Sequence, residues 1–132
     1  MVTYTDLLEY AKHALRNSYA PYSRFRVGAA LLTDGGEVIT GCNVENASYG
    51  LSNCAERTAV FKAVSEGKKG FKAIAVVSEK TNPVYPCGAC RQVLREFNPQ
   101  IKVVVEGGGG RPHVRSLQTL LPESFGPDDL LK

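Results

Sequence analysis

The sequence predicts an α/β domain built on a partly parallel sheet. Three observations predict it. Segments with apolar residues spaced three and four apart alternate with short runs of strand-forming residues. Asp34-Gly35-Gly36 is a hairpin pivot between two such runs. Beyond it, the order strand, helix, strand, helix, strand requires crossover connections, which parallel neighbours need. The 132 residues fit one domain spanning 1–132.

Each element has its own warrant. Leu7, Leu8, Ala11, Ala14 and Leu15 make residues 3–18 a helix, with Thr3 and Asp6 as its cap and acidic first turn. Pro21 closes it. Strands are expected over 25–33 and 37–45, with the polar Asn43, Glu45 and Asn46 at the far end of the second. Ala55, Ala59, Val60, Ala63 and Val64 stripe a helix over 54–66, stopped by Gly67. Residues 72–78 read as a strand buried on both faces. A helix over 87–97 carries Cys90, Val93, Leu94 and Phe97 on one side, and 101–106 is a further strand. The four glycines 107–110 read as a surface turn, since no Lys-Ser/Thr follows as a phosphate loop requires. A short edge strand over 111–115 and a short helix over 117–121, stopped by Pro122, complete the chain, with Phe125 in a polar tail.

Composition excludes several classes. Hydrophobic residues make up 43% and charged residues 22%, which a disordered chain would not show. The longest clean apolar run is near 27–32, far from the ~20 residues of a membrane span. Thr3, Tyr4, Asp6, Glu9, Lys12 and Arg16 interrupt the first segment, so no signal peptide is expected and a cytoplasmic location is. The net charge is only +3, and Lys68, Lys69 and Lys72 read as a solvated turn. That balance is too thin for a nucleic-acid partner.

The cysteines carry the chemistry. In a reducing compartment, Cys42, Cys54, Cys87 and Cys90 read as metal or redox groups rather than a disulfide scaffold. Cys54-Ala55-Glu56 and Pro86-Cys87-Gly88-Ala89-Cys90 place thiols at two expected helix starts. There the helix dipoles favour thiolates, and thiolates favour zinc. Three thiols leave the fourth position of a catalytic zinc open, and Glu56 can reach a metal seated beyond the helix end as a base. Cys42 sits mid-strand and reads as a packed thiol, with a closing fourth ligand as the alternative. His13 and His113 read as surface residues.

These motifs resemble the cytidine deaminase family, of the small homotetrameric kind. Residues 53–59 and 86–92 resemble its two zinc motifs. Ala20-Pro21-Tyr22-Ser23, the stretch from Phe25 to Ala30, the stretch from Gly41 to Ala47, the stretch from Lys62 to Gly67, and Leu120-Leu121-Pro122 with Phe125 extend the resemblance over nearly the whole chain. The resemblance implies a three-layer α/β/α fold on a five-stranded mixed sheet. It implies one zinc per chain held by Cys54, Cys87 and Cys90, with Glu56 as proton shuttle and Arg57 bonded to the ligand sulfurs. Phe25 would stack on the cytosine ring, Asn43 and Glu45 would grip the ribose 3′-hydroxyl, and the Ala55 amide would meet O2. Tyr49 and Phe125 would enter a neighbouring subunit's site. The implied reaction is hydrolysis of cytidine and deoxycytidine to uridine and deoxyuridine with loss of ammonia, a step of pyrimidine salvage. Zinc-activated water would attack C4 while Glu56 moves protons.

Two alternatives stand beside it: a deaminase of another aminopyrimidine nucleoside such as blasticidin S, and a structural zinc module that binds a partner. Phe25 with Asn43 and Glu45 favours a nucleoside. Tyr85 precedes Pro86 where relatives commonly have a smaller residue, and would narrow the mouth of the site.

Overall fold

Thr3 opens the first helix, α1 (Tyr4–Ala14), as the sequence predicts. Its hydroxyl accepts from the Asp6 amide at 3.0 Å, and the Asp6 carboxylate accepts from the Thr3 amide at 2.9 Å. A 3₁₀ turn, Leu15–Asn17, continues it. These coordinates are a computed structural model that describes residues 1–131; Lys132, the last residue of the expected domain, lies outside them.

The strands are β1 (Val27–Thr33), β2 (Val38–Cys42), β3 (Phe71–Ser78), β4 (Lys102–Glu106) and β5 (Pro112–Ser116). The further helices are α2 (Ala55–Ser65), α3 (Gly88–Phe97), α4 (Leu117–Leu120) and α5 (Pro127–Leu130). The sheet order is β2-β1-β3-β4-β5. β3 and β4 are parallel, joined by α3 as the crossover; the other neighbours are antiparallel. Because β1 opposes both β2 and β3, those two run the same way, and α2 links them across β1.

Alternation along the strands separates two cores. Leu7, Leu8 and Ala11 of α1 pack with Ala30, Ala75, Val77 and Val104 on one face. Ala59, Val60 and Ala63 of α2 and Leu94 of α3 pack with Ala29, Leu31, Ile74, Val103 and Val105 on the other. This is the expected three-layer α/β/α arrangement. Gly41 sets how closely α2 lies on β2: a Cβ there would sit 2.5 Å from both the Ala55 carbonyl oxygen and the Ala59 nitrogen.

Both strands of the hairpin are shorter than expected at one end of the sheet. β1 starts at Val27, not at residue 25, and β2 stops at Cys42, not at residue 45. The reason is a competing set of bonds. The Asn43 side chain accepts from the Val27 amide at 2.9 Å and donates to the Phe25 carbonyl at 2.8 Å, so these groups never join the ladder. Val44 instead bridges to Tyr19 and Asn53. The glycine run forms a turn with Gly109 and Gly110 at φ 69° and 75°. The expected polar tail contains α5, which starts with Pro127 and has the Gly126 amide donating to Asp129 at 2.8 Å.

Candidate active site

One end of the sheet gathers the expected residues. Val27 opposes Ser78, and Gly28 opposes Cys42, so the start of β1 and the ends of β2 and β3 meet there. The N-termini of α2 and α3 point to the same place. Cys54 and Cys87 occupy their N-cap positions in extended conformation, as the sequence predicts. Neither thiol caps its helix, which leaves both free for other partners.

The three thiols converge. Sγ of Cys54 lies 3.8 Å from that of Cys87, which lies 3.5 Å from that of Cys90, and all three are within 4.8 Å of one another. Sulfurs bound about 2.3 Å from a tetrahedral zinc sit about 3.8 Å apart, so the spacing and the soft donor set both fit zinc. Cys42 is outside this group, half-buried at the end of β2. Burial pushes its thiol up, which suits a packed side chain.

Charge is arranged around the triad. Arg57 donates from Nη2 to Cys54 Sγ at 3.3 Å, and its buried Nε has no partner among the described residues. Hydrogen bonding from Cys90 draws the Cys54 thiol down to about 5 against burial, with Arg57 and Cys87 assisting. Its interaction with Cys54 and its burial push the Cys90 thiol up. Arg57 is held charged by Cys54 and Cys90. Glu56 is 4% exposed. Burial pushes its carboxyl up to about 7, its own backbone N–H opposing and the Cys54 charge adding to the rise. A carboxyl with that affinity can both take and return a proton near neutral pH.

A cleft of about 420 Å³ opens beside the triad. Cys54, Ala55, Glu56 and Cys87 line one end; Ser23, Asn43 and Glu45 line it too, with Phe25, Val27, Val76, Val84 and Tyr85 as apolar walls. Asn43 accepts from the Ser18 hydroxyl and the Val27 amide and donates one N–H to Phe25, so a single amide N–H remains free. Glu45 Oε1 accepts from the Tyr22 and Ser23 amides at 3.0 and 3.1 Å, and Oε2 from the Ser23 hydroxyl. The Ser23 bonds hold the Glu45 carboxyl below its usual range.

Two expected residues stand apart. Tyr49 is 76% exposed in an adjoining hollow with Tyr22, Ser23, Glu45 and Ser52. Phe125 is 57% exposed and held by α3, outside the cleft of its own chain. Sequence reasoning missed Ser18 as the anchor of Asn43 and Ser23 as the anchor of Glu45. Ser23 could have been flagged, since a serine beside a proline-closed segment is a ready partner for backbone and carboxylate groups.

Comparison with known proteins agrees with this geometry. The profile described as the cytidine and deoxycytidylate deaminase zinc-binding region matches residues 1–107. A cytidine deaminase from Sporosarcina psychrophila is 49% identical over 125 residues, 94% of this chain and 92% of that protein. One from Halalkalibacterium halodurans is 52% identical over 125 residues, 94% of this chain and 95% of its own length. The crystal structure of cytidine deaminase from Burkholderia pseudomallei superposes with a TM-score of 0.87 at 54% identity, covering 93% of this chain and 99% of that one.

Proposed function

The chain belongs to the cytidine and deoxycytidylate deaminase family, and from that premise we propose that it hydrolyses cytidine and deoxycytidine to uridine and deoxyuridine with release of ammonia. The observation that carries the reading is the buried Glu56 carboxyl beside three converging thiols at the end of a nucleoside-sized cleft.

Cys54, Cys87 and Cys90 would hold zinc. When bound, zinc supplies Lewis acidity that brings the pKa of a water near ~7. The residues of the chain do the rest. Glu56 takes a proton from the attacking water and gives it to ring N3 as C4 gains the oxygen. It then takes the remaining proton from the new C4 hydroxyl to the 4-amino nitrogen, which leaves as ammonia as the C4 carbonyl forms. Burial equips Glu56 for both transfers, because its raised affinity makes release and uptake nearly balanced. Arg57 offsets the charge of three thiolates through its bond to Cys54. Phe25 stacks on the ring, the Ala55 amide donates to O2, and the free Asn43 N–H with the Glu45 carboxylate holds the 3′-hydroxyl. That sugar end favours a nucleoside over a free base.

The same reading takes residues 1–132 as one deaminase domain acting in cytoplasmic pyrimidine salvage. It places four copies together, with Tyr49 and Phe125 of one copy completing the cleft of another. The exposure of Tyr49, Leu51, Phe61 and Phe125 supports that assembly. Among the described residues, no helix is long and apolar enough to cross a membrane. A purely structural zinc site has no use for a buried carboxyl facing a cleft, which disfavours the interaction-module alternative.

The test is ammonia release from cytidine, deoxycytidine and cytosine, measured with zinc per chain. Both nucleosides should turn over and cytosine should not. Glu56→Gln should retain zinc and lose at least ~10²-fold in kcat. Bound zinc with no ammonia from any of the three would overturn the reading.

A further inference from the structure

Three side chains of α3 reach across to the C-terminal segment. Arg91 donates to the Leu120 carbonyl at 2.8 Å and, from Nε, to the Pro86 carbonyl at 2.7 Å. Gln92 donates to the Phe125 carbonyl at 2.9 Å. Arg95 donates to the Ser124 hydroxyl at 2.7 Å and to Asp128 at 3.1 Å. Arg95 is only 12% exposed at its side chain, an unusual state for a guanidinium on a surface helix. It is buried beneath the segment itself. A Cβ on Gly126 would collide with its guanidinium carbon, so the backbone lies flat on the charged group.

The residue enclosed by these bonds is Phe125. Its carbonyl is tied, its neighbours Ser124 and Gly126 are tied, and within its own chain the residue still stays more than half exposed. Fixing an aromatic side chain's backbone before contact lowers the entropy lost on docking it elsewhere.

We infer that Gln92 and Arg95 form a latch that presents Phe125 to the substrate cleft of a neighbouring copy. The inference rests on the reading of Phe125 given above. Arg95 is then a positioning residue for a site it does not touch. Arg91 extends the same helix's grip to the loop before Cys87, so one rigid element orders a metal ligand of its own chain and an aromatic wall of another's site.

The experiment separates the two sites by mixing chains. Phe125→Ala and Arg95→Ala should each raise KM for cytidine about tenfold with kcat within about twofold. Arg95→Lys keeps the charge without the planar fork and should fall between. Gln92 is exposed, so Gln92→Ala tests the latch without threatening the fold and should raise KM in the same way. Arg95→Ala chains are then co-assembled with an excess of Glu56→Gln chains, which are inactive but carry an intact latch. KM of the mixed oligomer should return to within about twofold of wild type. A KM that stays raised in the mixture would show that Arg95 acts on its own chain's site and would overturn the inference. An unchanged KM in both Arg95→Ala and Gln92→Ala would overturn it too. An unchanged KM in Phe125→Ala would remove the reading of Phe125 itself, and the latch with it.

Discussion

The two ends of the cleft are built by different means. The thiol end stands on regular structure: Cys54 and Cys87 sit at the N-cap positions of α2 and α3, Cys90 lies in the first turn of α3, and Gly41 lets α2 press against the sheet. The end proposed to hold the sugar stands on irregular chain. There, Asn43 and Glu45 act as cross-links between the 18–27 segment and the residues after β2. At the thiol end, packing fixes the geometry and the side chains are left to do chemistry. At the sugar end, the groups that would bind substrate also hold the loop that presents them, so function and local stability share the same atoms.

That contrast can be broken from either side. After Glu56→Gln, the largest effect is expected from Arg57→Ala. Arg57 touches a thiol ligand but is not one, so the fold should persist while zinc affinity or turnover falls ~10–100-fold. An alanine variant with unchanged zinc content and rate would show that the thiol end needs no outer support. Asn43→Ala should behave differently. It leaves the Val27 amide and the Phe25 carbonyl without their partner, so stability should fall by ~1–3 kcal/mol in urea unfolding while KM rises. A raised KM at unchanged stability would break the comparison, because function and support would then be separable.

The smallest effect is a pH dependence that sharpens it. The Glu45 carboxyl sits below the ordinary glutamate value of 4.5 because Ser23 and Tyr22 donate to it. The folded state therefore binds the proton less readily than the unfolded chain. The stabilisation is fully present above 4.5 and is lost as pH falls through the lowered folded value. The amides of Tyr22 and Ser23 should gain hydrogen exchange across that window in wild type. In Glu45→Gln that pH dependence should vanish.

Legibility followed the same division. The thiol end was readable because its signals are local: ligand spacing, helix starts, and an acidic residue two positions from a cysteine. The strand runs were equally readable, down to the doubly buried run of β3. The sugar end was only half readable. Asn43 and Glu45 stood out as polar residues at a strand end, but their partners Ser18 and Ser23 lie 25 and 22 positions away, where no periodicity connects them. The strand ends were misplaced for the same reason, since side-chain bonds there replace the ladder. Short α5 was missed because four residues carry too little period to register.

One of the sheet's two outer strands limits how copies can meet. Among the described residues, β5 lies at the border of the sheet, paired to β4 on one side only. It is five residues long, begins with Pro112, and carries the exposed Arg115 with Arg111 just before it. A proline and repelling cations are poor templates for strand addition. Copies of this chain are thus discouraged from zipping border to border into open-ended fibres. At this border, contact between copies is left to side-chain surfaces, where an assembly can close on itself and stop growing.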